Sequence, residues 1–226
     1  MITERVYKMK KIQVVGDSLL KGVIYDETIS RHVLLKENGI SMLIDAGFDI
    51  KNDAKFGLTI AKARKIIENS SLDMDEIIIE VGGNDCDYNW DDVSNNPNSI
   101  HQTKIPIDEF KDSLESLVQF ILSHQIKPIL VSIPPLDDQL FFNFITKNRQ
   151  KENIMSFLGD TKMIYYHQRS YNEVIECVAK QYALTYIPLR ETIEAVSNVK
   201  EIYCKDGMHL NERGQAIIYD TFKRYI

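Results

Sequence analysis

The sequence predicts an α/β protein: a three-layer α/β/α sandwich with five parallel strands between two layers of helices. Three observations predict it. Short β-branched runs alternate with longer patterns in which apolar residues recur at three- and four-residue spacing, the signature of successive βαβ units. Runs such as EIIIEV and PILVSI suit a parallel sheet covered on both faces. The chain has 226 residues, 44% hydrophobic and 27% charged, enough for one sizeable core and short for two. Residues 1–226 are therefore expected to form a single domain.

The elements follow in order. The first strand is read at 11–15 (KIQVV) and the second at 48–52 (FDIKN), with a helix after it at 59–69. The third strand, 76–81 (EIIIEV), is followed at a distance by a helix at 107–124. The fourth, 128–133 (PILVSI), precedes helical patterns at 139–157 and 169–182, and the fifth, 184–187 (LTYI), precedes helices at 191–196 and 212–225. Two stretches break the rhythm and are read as irregular insertions. Residues 86–106 are rich in Asn, Asp and Pro, and residues 136–170 carry extra aromatics; long loops in compact domains are usually functional or mobile.

Charge and composition narrow the partners. Lys and Arg number 27 against 33 Asp and Glu, a net charge of −6, with the cations scattered and not gathered into a phosphate-neutralising block. This argues against nucleic acid. Residues 1–11 hold no apolar run of signal-peptide length, and nothing approaches the ~20 apolar residues of a membrane span, so a cytoplasmic protein without a membrane partner is expected. Cys86, Cys177 and Cys204 are odd in number and lack C-x-x-C spacing, which suggests reduced thiols and neither a disulfide framework nor a zinc site.

In a doubly wound sheet, ligands bind outside the carboxyl ends of the strands. Those ends carry Gly16-Asp17-Ser18-Leu19 after strand one, Phe56-Gly57-Leu58-Thr59 after strand two and Gly82-Gly83-Asn84-Asp85 after strand three; Asp206-Gly207-Met208-His209 precedes the last helix. A serine hydroxyl needs a base to take its proton, a third group to orient that base and donors aimed at the oxyanion. Ser18 can be the nucleophile, His209 the base and Asp206 its orienting carboxylate. The backbone N–H groups of Ser18 and Gly57 and the Asn84 amide can receive the oxyanion.

These four blocks, in this order and rough spacing over nearly the whole chain, resemble the SGNH, or GDSL, family of esterases and lipases. The resemblance implies a flavodoxin-like SGNH-hydrolase fold, ester hydrolysis without metal or other cofactor, and the roles just given to Ser18, Gly57, Asn84, Asp206 and His209. The departures lie between the blocks, at 86–106 and 136–170, where the substrate and not the chemistry is left open.

Each residue also has a plainer reading. Ser18 could be a helix N-cap, Asp17 a brace of its own loop, Asn84 and Asp85 an Asx-type turn, and Asp206 a cap before the last helix. His32, His101, His124 and His167 have no acidic partner at comparable spacing and are read as surface or core residues, with His101 and His167 placed where they could reach the site. Cys86 as nucleophile is disfavoured because Asp85 and Asp87 would raise its pKa. Trp90, Phe141, Phe142 and Tyr166 are pocket candidates that suit core packing equally well. The expected substrate is a small or carbohydrate ester with a short acyl group such as acetyl. The alternatives are a lipase or thioesterase on longer chains and a catalytically silent flavodoxin-like binding module; no nucleotide-binding glycine motif is present to favour the last.

Overall fold

The computed structural model describes residues 9–226; residues 1–8, most of the stretch 1–11 read for an apolar run, lie outside them. Strand β1 (Lys11–Val15) runs into a one-turn helix, α1 (Ser18–Lys21). A hairpin follows, β2 (Val23–Asp26) and β3 (Arg31–Leu34), then α2 (Gly39–Asp45) and β4 (Asp49–Asn52). Next come α3 (Ile60–Glu68), β5 (Glu76–Ile79), α4 (Trp90–Asn95) and α5 (Ile107–Ser123). After β6 (Lys127–Val131) stand α6 (Asp138–Thr146), α7 (Lys151–Leu158) and α8 (Lys162–Gln181). The chain ends with β7 (Thr185–Ile187), α9 (Leu189–Glu194), a 3-10 turn at Val199–Ile202 and α10 (Glu212–Phe222).

Five strands form one parallel sheet in the order β4-β1-β5-β6-β7. Side chains alternate across a strand, and the three central strands are buried on both sides. Val15, Ile77, Ile79 and Leu130 meet α3, α5 and α8 on one face. Ile12, Val14, Ile78, Ile129 and Val131 meet α2, α9 and α10 on the other. The order reverses between β1 and β5, and the crevice at such a reversal lies at the strands' carboxyl ends. Ser18 follows the first of these strands and Asn84 the second.

Several expectations change. The helix read over 139–157 is two helices, because α7 starts afresh after 147–150, where Gln150 N–H is taken by the Ser94 hydroxyl and Arg149 bonds Asp91. The helix read at 169–182 starts earlier, at Lys162. The stretch 86–106 is folded: Asn89 caps α4, and Tyr88 pairs with Thr103. The hairpin and α2 went unread, although Asn38 and Ser41 form a reciprocal capping box at the start of α2. Among the described residues no helix is long and apolar enough to cross a membrane.

Candidate active site

Asp17, and not Ser18, caps α1: its Oδ1 accepts Leu19 N–H at 2.8 Å. That leaves the Ser18 hydroxyl free of capping duty. Asp17 Oδ2 accepts the Asn84 side-chain amide at 3.0 Å, so one carboxylate ties the nucleophile turn to the turn after β5. Asp85 does the same on the other side, accepting Ile60 N–H at 2.8 Å and Gly82 N–H at 3.0 Å. It supplies the cap that Thr59 does not provide to α3. Burial pushes the Asp85 carboxyl up to about 6 against these two backbone donors.

The fourth block is a tight loop closed by the Tyr203–Leu210 bridge and by Cys204 N–H to His209 C=O at 2.8 Å. Gly207 has φ +70, and a Cβ there would come within 2.3 Å of the Phe141 nitrogen, so the loop can pack on the start of α6 only with glycine. Asp206 Oδ1 accepts the backbone N–H groups of Met208 and His209 at 3.2 and 3.0 Å. Its Oδ2 lies 2.6 Å from His209 Nδ1, and His209 Nε2 lies 2.8 Å from Ser18 Oγ across 191 residues of sequence. A carboxylate only accepts, so Nδ1 carries the proton and Nε2 presents its lone pair to the serine O–H.

Asp206 and His209 are 0% and 2% exposed and Ser18 is 8% exposed. Burial works against the Asp206 carboxylate, but the bonds from the His209 ring and backbone outweigh it and hold the carboxyl below its ordinary value. Behind the nucleophile turn, Glu80 Oε2 accepts Asp17 N–H at 2.8 Å. Burial and then the Asp17 charge push the Glu80 carboxyl well above its ordinary value, and burial raises the Asp17 carboxyl too.

Ser18, Asn84 and His209 line one cavity of about 110 Å³. Its walls are mostly apolar, with Trp90, Leu136, Phe141, Leu158, Met163 and Ile164 drawn from the two stretches read as insertions, and Asp87, His167 and Gln168 beside them. Of the aromatic candidates, Trp90 and Phe141 line it, whereas Phe142 is core and Tyr166 is exposed. Gly57 is not in that lining; its φ is +65 and a Cβ there would meet nothing within 4 Å, so the backbone conformation, not crowding by protein atoms, accounts for glycine.

The neighbouring Phe56 ring stacks at 6.4 Å on His209. His167 reaches the cavity wall, but its Nε2 is bonded to Cys86 C=O. His101 braces α4 through Asp92 and Asn96. Burial, with Asp87 and Asp85 adding to it, pushes the Cys86 thiol far up and makes it a poor nucleophile.

The sequence reading missed His32. Its Nε2 lies 3.1 Å from Asp206 Oδ2, a partner 174 residues away that no local spacing reveals. His32, Asp206 and His209 also form a set of potential metal ligands, with one atom of each within 4.8 Å of the others.

A family model described as GDSL-like lipase/acylhydrolase matches residues 12–222. No curated protein matches the sequence. Among solved structures, a lipase/acylhydrolase from Enterococcus faecalis is 20% identical with a TM-score of 0.66, covering 96% of this chain and 94% of its own. A GDSL-like lipase from Bacteroides thetaiotaomicron is 16% identical with a TM-score of 0.64, over 95% of this chain and 86% of its own. A catalytic mutant of an acetylxylan esterase from Geobacillus stearothermophilus is 16% identical with a TM-score of 0.64, over 96% and 93%. These likenesses give the α/β SGNH-hydrolase fold, and the family model, spanning nearly all of the sequence, gives the affiliation: the chain belongs to the GDSL-like lipase/acylhydrolase family of carboxylic ester hydrolases.

Proposed function

We propose that this protein hydrolyses esters through an acyl-enzyme on Ser18, and that the whole chain acts as one domain. The observation that carries the reading is the unbroken chain Ser18 Oγ, His209 Nε2, His209 Nδ1, Asp206 Oδ2, with spacings of 2.8 Å outside the ring and 2.6 Å beyond it. As Oγ attacks the acyl carbonyl, its proton passes to His209 Nε2, and Asp206 stabilises the imidazolium that forms. His209 then hands that proton to the departing alkoxide, which leaves as the alcohol. Water attacks the acyl-enzyme by the same route in reverse, freeing the acid and restoring Ser18.

The oxyanion falls to Ser18 N–H, which as the first helical residue has no acceptor within its helix, to the second N–H of the Asn84 amide and to Gly57 N–H. Ser18→Ala and His209→Ala should each lower p-nitrophenyl butyrate hydrolysis by at least about 10³-fold. Wild-type rates in either variant would overturn the proposal.

The cavity sharpens the acyl group. At about 110 Å³ it is smaller than the ~150 Å³ apolar cavity that accommodates benzene, yet larger and more apolar than an acetyl group needs. We therefore favour acyl chains of about four to six carbons over acetate. Each methylene moved from water into the cavity contributes about 0.8 kcal/mol, so kcat/KM should rise about 15-fold from acetate to butyrate and level off or fall by octanoate. A maximum at acetate would refute this assignment of the cavity while leaving the Ser18 chemistry standing. The unpaired thiols of Cys86, Cys177 and Cys204 suit a reducing compartment, and on that ground we place the protein in the cytoplasm.

A further inference from the structure

The Asp206 carboxylate accepts four hydrogen bonds, two on each oxygen, which fills its acceptor capacity. Three of the donors, Met208 N–H, His209 N–H and His209 Nδ1–H, belong to the same short loop as Asp206 itself. They move with it and cannot fix it relative to the rest of the molecule. The fourth is His32 Nε2, at 3.1 Å on Oδ2, from strand β3 of a hairpin outside the main sheet. Since a carboxylate offers no proton while ionised, His32 Nε2 must carry one, and it approaches the same oxygen that orients His209.

The His32 ring is itself held. It pairs across the hairpin with Tyr25 and packs edge-on to it at 5.3 Å, contacts Phe56 at 5.5 Å and Phe144 at 6.1 Å, and lies 4.8 Å from the His209 ring. Its side chain is 27% exposed, so the ring forms the outer wall of the Asp206–His209 pair.

We infer that His32 is a positioning residue for the hydrolytic reaction: its Nε2–H anchors the Asp206 carboxylate to the hairpin, and so holds the His209 ring in line with Ser18. The inference rests on the Ser18–His209–Asp206 reading above. A side group acting through Asp206 should affect turnover and leave substrate binding alone, because His32 is not among the residues lining the acyl cavity.

The test uses three variants of the full chain with p-nitrophenyl butyrate. His32→Phe keeps an aromatic ring in the Tyr25–Phe144 contacts but offers no donor; His32→Asn is too short to reach; His32→Gln places an N–H close to where imidazole Nε2 stands. Loss of one orienting hydrogen bond should lower kcat about tenfold in the Phe and Asn variants with KM little changed, and His32→Gln should recover most of it. Full kcat in His32→Phe, equal losses in all three variants, or a loss confined to KM would overturn the inference. Thermal melts run alongside identify any variant that is merely unfolded, and the half-buried position leaves three substitutions to read. An active Ser18→Ala enzyme would instead overturn the underlying triad, so the two failures are distinguishable.

Discussion

Replacing Asp206 by asparagine changes one oxygen for an NH₂ group in a site where every facing group is a donor. Oδ1 faces the N–H groups of Met208 and His209, and Oδ2 faces His209 Nδ1 and His32 Nε2. If the NH₂ takes the Oδ1 position, two buried backbone N–H groups lose their acceptor at about 1–3 kcal/mol each. If it takes the Oδ2 position, the conflict is relieved when His209 moves its proton to Nε2 and His32 moves its proton to Nδ1, so that the amide donates one N–H to each ring. The second arrangement costs less folding energy and is the one expected. It leaves an N–H, and no lone pair, facing Ser18 Oγ at 2.8 Å, so the proton of the attacking hydroxyl has nowhere to go. The expected loss in kcat is on the order of 10⁴, about 5 kcal/mol of barrier, with the protein still folded.

The assay is p-nitrophenyl butyrate turnover beside a thermal melt. Acid stability gives an independent readout of the same carboxylate. Asp206 is held below its ordinary value of 3.8, so it contributes stability that is present above that value and is lost as pH falls through the folded one; the asparagine variant should lack this part of the acid loss. A folded Asp206→Asn enzyme with more than about a tenth of wild-type kcat would refute the tautomer argument.

Two further outcomes follow from the same contacts. Asn84→Ala should lower kcat by about 10²–10³ with little change in melting temperature, since a single bond between loops is lost while Asp85 still holds the turn after β5 to the start of α3; turnover of p-nitrophenyl butyrate checks it, and an unchanged kcat would remove Asn84 from the oxyanion site. Glu80→Gln should make unfolding free energy less dependent on pH on the alkaline side. Glu80 is raised well above 4.5 by burial and by Asp17, so its contribution is complete below 4.5 and is lost as pH rises through the folded value. Denaturant unfolding from pH 5 to 9, run on both proteins, checks it.

The sheet was legible because its signal is local. Runs such as Ile77, Ile78 and Ile79 are apolar at every position, and only a strand covered on both faces buries them all. The same reasoning fails for the hairpin, where β2 and β3 are mostly half-buried or exposed and carry no clean alternation. It fails again at 139–157, where Phe141, Phe142 and Ile145 before the break and Ile154 and Phe157 after it each keep a helical spacing and so read as one run. The break comes from tertiary partners, Asp91 for Arg149 and Ser94 for the Gln150 N–H, and a one-dimensional pattern does not contain them.

The site divides along the same line. Ser18 and Asn84 stand in short blocks at strand ends, and Asp206 and His209 in one before the last helix, so residue type and spacing suffice to name them. What holds the blocks together was open to local reading only in part. Asp17 and Asp85 sit beside the candidate residues and were read as turn formers, which they are, but each also reaches a second loop: Asp17 to Asn84, Asp85 to Ile60. Asp206 likewise bonds its own loop and, through His32, the hairpin.

Three buried aspartates thus do for the loops what ladder hydrogen bonds do for the strands. Their carboxylates are matched by donors, so buried charge is tolerated, and deleting one would leave orphaned N–H groups in two loops at once. The Ser18–His209 distance therefore depends on side-chain bonds between loops as much as on the sheet beneath them, and substitutions at Asp17 or Asp85 should disturb turnover although neither residue need touch the proton being moved.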